Sequence, residues 1–134
     1  MTDTTPTESN LSGLDRKDFQ KNINSRKTDL YILKNAQGME VAVTNYGCAI
    51  LSIMVPDKNG KFANVILGHD SIEHVINSPE PFLSTTIGRY GNRIANGKFT
   101  LYGEEHQLTV NNGPNSLHGG PTGFHARVWD AVQP

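Results

Sequence analysis

Turn signals recur so often along this chain that no long helix fits between them. "KNAQG" (34–38), "DKNGK" (57–61), "YGEE" (102–105) and "NGPN" (112–115) cut it into short apolar runs. "DLYIL" (29–33), "MEVAVTNYG" (39–47), "CAILSIMVP" (48–56) and "FANVILG" (62–68) lie between the first turns. In the second run Met39, Val41 and Val43 alternate with Glu40, Ala42 and Thr44, the period of a half-buried strand. The Asn-Gly in 57–61 favours a tight hairpin. "GKFTLYGEEHQLTV" (97–110) reads as a second hairpin turning at "YGEE", and "ARVWDAV" (126–132) as a last strand. One stretch departs from this rhythm. "HDSIEHVINSP" (69–79) carries Ile72, Val75 and Ile76 at helical spacing and ends in Pro79, which predicts a helix of about two turns. Seven or so short strands with hairpin turns and one short helix imply an all-β fold, an antiparallel sandwich or barrel whose loops carry the chemistry.

Charge and leader narrow the function classes. The 134 residues hold 12 Lys+Arg against 13 Asp+Glu, a net charge of −1, so the chain offers no electrostatic footprint for nucleic acid or an anionic membrane. An uncharged small molecule fits better. The lone cysteine, Cys48, excludes an internal disulfide and sits in an apolar context, as a buried small hydrophobe would. No apolar run reaches the length of a membrane span, and the polar start lacks the basic and apolar regions of a signal peptide. Residues 1–27 are therefore expected to be a polar, partly mobile leader, with the domain proper at 28–134 and a cytoplasmic location.

Two loops stand out, "IGRYGNRIANGKF" (87–99) and "NNGPNSLHGG" (111–120), flanking the second hairpin. The first sets Arg89, Asn92 and Arg93 among glycines; the second offers Asn112, Asn115, Ser116 and His118 on a permissive backbone. Guanidinium donors and amide donor–acceptors suit the dense hydroxyls of a sugar. An imidazole titrating near neutrality suits proton exchange with, or hydrogen bonding to, a substrate oxygen. Each of these residues also has a plainer reading: Arg89 or Arg93 in a salt bridge, the second loop as a turn and loop end. His69, His74 and His106 read as structural or exposed, Glu104 and Glu105 as a solvated tip. His125, close behind the second loop, reads first as structural and stays open as a site residue. Zinc-binding spacings, phosphate-binding glycine motifs and a serine-nucleophile elbow are all missing from the sequence.

Taken together, "GRYGNRIANGKF", "NNGPNSLHGG", the following "GF" and "VW", and the upstream "TNYGCAILSIMVPDKNGKFANVILGHDSIEHVIN" resemble the N-terminal part of the aldose 1-epimerases, the galactose mutarotases. The resemblance runs over about residues 28 to 132. It implies an antiparallel β-sandwich of the galactose mutarotase type and interconversion of the α and β anomers of free hexoses such as galactose and glucose. Ring opening and reclosure would proceed by general acid–base chemistry, without metal or organic cofactor. It further implies that Asn92 and Arg93 bind sugar, that Arg89 supports the site, and that His118 positions or polarises the sugar at its reactive end. Gly91 stands where family members often carry alanine. The family's second histidine, its aspartate and its glutamate base would all fall beyond Pro134, so the 134 residues alone are expected to be inactive and to self-associate through unpaired strand edges. The competing expectation is a sugar-binding β-module without catalysis. A sugar-phosphate epimerase would need more cations than the net charge supplies.

Overall fold

The computed structural model describes residues 9–133. A 3₁₀ turn at Arg16–Phe19, capped by the Asp15 carboxylate accepting from the Lys17 N–H, leads into a hairpin of β1 (Asn22–Ile23) and β2 (Arg26–Lys27). Four strands then form an antiparallel sheet in sequence order: β3 (Leu30–Lys34), β4 (Glu40–Thr44), β5 (Ala49–Pro56) and β6 (Phe62–Asn64). A bulge between Ala42 and Val43 shifts the β4–β5 register. At the β5–β6 turn the Asp57 carboxylate accepts from the N–H groups of Asn59 and Lys61, so aspartate as well as Asn-Gly builds that hairpin.

The only α-helix among the described residues, α1, spans Ile72–Ile76. Ser71 caps it by accepting from the His74 N–H. Ile72 and Val75 turn inward, as their spacing predicts, and meet Phe19, Leu30, Ala42, Ala49 and Leu51 in the core. The core thus lies between the sheet and a cover made of α1 and the 3₁₀ turn. After α1 the chain runs through β7 (Arg93–Ile94), the hairpin of β8 (Lys98–Leu101) and β9 (Glu104–Gln107), and β10 (Ser116–Leu117), which pairs back antiparallel on β7. The all-antiparallel fold with one short helix agrees with the sequence reading.

Several details differ from it, each for a visible reason. On β4 the buried parity is Glu40, Ala42 and Thr44, while Val41 and Val43 are only half-buried. The fully buried Glu40 carboxylate is satisfied there by the N–H groups of Leu11 (2.9 Å) and Ser12 (3.1 Å), with Lys34 Nζ at 3.6 Å. The supposed leader is therefore packed structure over its described part: Leu11 and Ser12 close on Glu40, and Phe19 is fully buried. Residues 1–8 lie outside the described residues.

The second hairpin turns at Tyr102–Gly103, both with positive φ (52° and 81°), and not over "YGEE". Glu104 and Glu105 belong to β9, where Glu105 pairs with Lys98 at 3.0 Å. The fourth run, "FANVILG", holds strand geometry only to Asn64, leaving Val65 and Leu67 exposed. "ARVWDAV" is not a strand: it makes one bridge, Tyr46 to Val128, after a 3₁₀ turn at Phe124–Ala126. The segment is tied by backbone hydrogen bonds from Gly47 N–H to Arg127 O (2.7 Å) and from Trp129 N–H to Asn45 O (2.8 Å).

Candidate active site

The short β7–β10 ladder brings the two singled-out loops together. Leu117 pairs with Arg93, and the contact continues one step further to Asn92 and His118. There the pairing is reciprocal: His118 N–H donates to Asn92 O at 3.0 Å, and Asn92 N–H donates to His118 Nδ1 at 2.9 Å. A backbone N–H can only donate, so Nδ1 must be the accepting nitrogen and the imidazole proton of neutral His118 sits on Nε2. Both residues have left-handed backbones, φ 61° at Asn92 and φ 52° at His118. Asparagine tolerates this conformation; histidine does so at a cost of order 1–3 kcal/mol, a strain that clusters at functional positions.

Arg93 is exposed and held from two sides. Its Nε donates to Asn112 Oδ1 at 2.8 Å and its Nη1 to Asn92 Oδ1 at 3.3 Å. The plainer reading of Arg93, a salt bridge, is not realised among the described residues. Two amides orient the guanidinium without neutralising it, which leaves a charged donor facing solvent. Asn111 braces the second loop by accepting from Leu117 N–H (2.7 Å) and donating to Leu117 O (3.1 Å). The loops also interlock by backbone contact. Gly119 has φ 88°, and a Cβ there would stand 1.9 Å from the Gly88 carbonyl oxygen, so no other residue fits.

Asn92, Arg93, Asn112 and His118 thus form one cluster. Arg89 does not join it: its guanidinium lies over the Phe124 ring, 5.6 Å from the centroid, beside a cleft of about 880 Å³ that Tyr90, Phe99 and Trp129 also line. Asn115 and Ser116 serve structure. Asn115 Oδ1 accepts from Asn96 N–H at 3.3 Å, and the buried Ser116 hydroxyl donates to Thr109 O at 2.7 Å and contacts the Tyr90 hydroxyl. Gly91 faces open space apart from Ile87 at 4.0 Å, so an alanine there has room.

Two groups of the site carried little or no sequence signal. Phe82 sets its ring edge-on to His118 (centroids 5.0 Å apart) and against His125 (4.5 Å). His125 is buried, with 7% exposure and an Nδ1 that has no partner among the described residues. Burial pushes its pKa below the usual histidine value, and nearby His118 pushes the same way. Its closeness to the second loop was a weak hint; Phe82, just after Pro79 and Pro81, gave none. The remaining histidines lie elsewhere. His74 bonds Asp70 at the surface, His106 stacks on Phe99, and His69 is half-buried near α1. Cys48 is half-buried, and burial pushes its thiol pKa up, which leaves it a poor nucleophile. Among the described residues no group of His, Cys, Asp and Glu could hold a metal ion, and no helix is long and apolar enough to cross a membrane.

Comparison with known proteins covers the same ground. A family model described as Aldose 1-epimerase matches residues 29–134. Galactose mutarotase of Bos taurus is 43% identical over 91 residues, covering 68% of this chain and 26% of the relative. Aldose 1-epimerase of Escherichia coli is 41% identical over 103 residues, covering 77% and 30%. Among solved structures, an aldose epimerase homologue from C. elegans superposes with a TM-score of 0.74 at 34% identity, over 80% of this chain and 33% of the other. Galactose 1-epimerase from Lactobacillus acidophilus gives 0.69 at 33% identity, over 82% and 31%. The chain spans 26% to 30% of the length of these curated relatives. Since the match takes in the sheet and both loops of the cluster, this chain belongs to the aldose 1-epimerase family.

Proposed function

We propose that Asn92, Arg93, Asn112 and His118 form one wall of a binding site for a free aldohexose, in a protein that interconverts the sugar's α and β anomers. The observation that carries this reading is the Asn92 N–H to His118 Nδ1 hydrogen bond at 2.9 Å. It fixes His118 as an Nε2–H donor, able to hold a sugar oxygen and to stabilise charge growing there as the ring opens. Arg93 supplies a second, permanently charged donor to a neighbouring hydroxyl. Opening the ring takes the proton from the anomeric hydroxyl and delivers one to the ring oxygen. Rotation about C1–C2 and reclosure give the other anomer. Arg89, away from the cluster, acts on the neighbouring loop through Phe124 and supports the site.

Galactose and glucose are the substrates this reading favours, and the names of the relatives support the first. The test is saturation-transfer NMR between the anomeric protons of galactose with the chain present. Exchange faster than in buffer, lost in His118→Ala and Arg93→Ala by about 10²-fold or more, is expected of a protein that also supplies the family's glutamate base; the 134 residues alone are expected to bind galactose with little exchange. No exchange and no galactose-dependent shift of the His118 signals would sink the reading. A second outcome has its own support, because no carboxylate bonds to the four cluster residues among the described residues. Binding without exchange even where that base is supplied would make this chain a carbohydrate-binding β-module.

A further inference from the structure

The imidazoles of His118 and His125 are joined by no hydrogen bond; what lies between them is the Phe82 ring. That ring meets His118 at 5.0 Å and 67° and His125 at 4.5 Å and 59°. The three side chains come from separate segments and are anchored differently. His118 depends on the Asn92 loop. Phe82 and His125 depend on the end of the four-stranded sheet through one turn. Gly47 O accepts from Thr86 N–H (2.8 Å), Gly47 N–H donates to Arg127 O (2.7 Å), and Ile50 N–H donates to Ser84 O (2.9 Å). The turn is pressed so closely on His125 that a Cβ on Gly47, which has φ 64°, would stand 2.3 Å from the His125 carbonyl oxygen.

The His125 ring forms no hydrogen bond among the described residues, and its Nδ1 is buried. No proton relay therefore leads from it to His118. Any influence passes through ring contact.

We propose that His125 is a positioning residue for His118: buried against Phe82, it holds that ring edge-on to the His118 imidazole and so keeps Nε2 aimed at the sugar. The Asn92 N–H fixes where the His118 ring begins, and Phe82 fixes how it is turned. The sheet thereby sets the aim of a side chain carried on a loop. This inference rests on the sugar-site reading for what Nε2 is aimed at, and on ring contacts alone for how it is aimed.

The experiment is long-range ¹H–¹⁵N NMR of the His118 imidazole in the 134-residue chain, with galactose titrated in. The wild type shows the Nε2–H tautomer with ring protons displaced by Phe82. His125→Ala shifts those signals toward the free-imidazole pattern and weakens galactose binding about three- to thirtyfold, the range of such indirect couplings. His125→Phe, which keeps a ring against Phe82, restores both. His118 signals and affinity that stay unaltered in His125→Ala overturn the proposal. If the alanine variant does not fold, His125→Phe and His125→Leu decide the matter. Both fill the space and only one presents a ring, so identical His118 signals in the two refute a ring-borne role. A wild type that ignores galactose removes the functional reading, while the His118 signals still judge His125.

Discussion

The four-stranded sheet and the loop pair beside it are built by opposite means. The sheet repeats one rule, with ladder hydrogen bonds between strands and a core of Leu30, Ala42, Ala49 and Leu51 closed by Phe19 and α1. Such a region degrades in proportion to the apolar surface it loses. The loop pair has almost no ladder. It is held by side chains bonding backbone, by left-handed residues and by one carbonyl pressed onto a glycine. The sheet supplies stability that the loops draw on, and the loops supply a defined orientation of polar groups that no sheet face offers.

The contrast can be broken from either side. The largest loss of stability belongs to the core: Phe19→Ala costs about 3–5 kcal/mol and lowers the urea midpoint of the whole unfolding transition. Gly119→Ala follows at roughly 2–4 kcal/mol, from the close approach to Gly88 and the positive φ. Its signature is different, because the His118 and Asn92 signals move while amides of β3, β4 and β5 keep their hydrogen-exchange protection. Equal loss of protection in the sheet would show that the two regions are not separable.

The smallest effect is a pH dependence confined to the loop side. The pKa of His125 is pushed down in the folded chain by burial and by His118, so the unfolded chain takes up its proton first as pH falls. The associated stability is complete above the unfolded value of about 6.5 and is lost as pH falls through the lower folded value. Denaturation midpoints at pH 7.5 and pH 5 should therefore differ more for the wild type than for His125→Phe. Equal differences would mean that His125 titrates alike in both states.

What the sequence revealed follows the same division. The strands β3, β4 and β5, the Asp57 turn and α1 were legible because local patterning and turn chemistry specify them. Which face of β4 is buried was not, since Glu40 goes inside only because the backbone of Leu11 and Ser12, 29 and 28 residues away, comes to meet it. The alternation of "ARVWDAV" was misleading for a related reason. Its apolar residues serve loop packing, with Trp129 edge-on to Phe124 at 5.0 Å, and not a ladder. In the candidate site, Asn92, Arg93 and His118 stand out in the sequence as a pattern of residues and lie together in the structure, whereas Arg89, close to them along the chain, points to a different cleft. Phe82 and His125 meet the cluster through contacts between distant segments, which no local period records.

The Glu40 contact also bears on how this sequence is free to drift. Its carboxylate recognises the main chain of residues 11 and 12 and ignores their side chains. For that contact, substitution at either position is neutral with one exception, proline, which has no N–H to give; Ser12 alone has a further role, its hydroxyl donating to Asn10 and accepting from the Leu14 N–H.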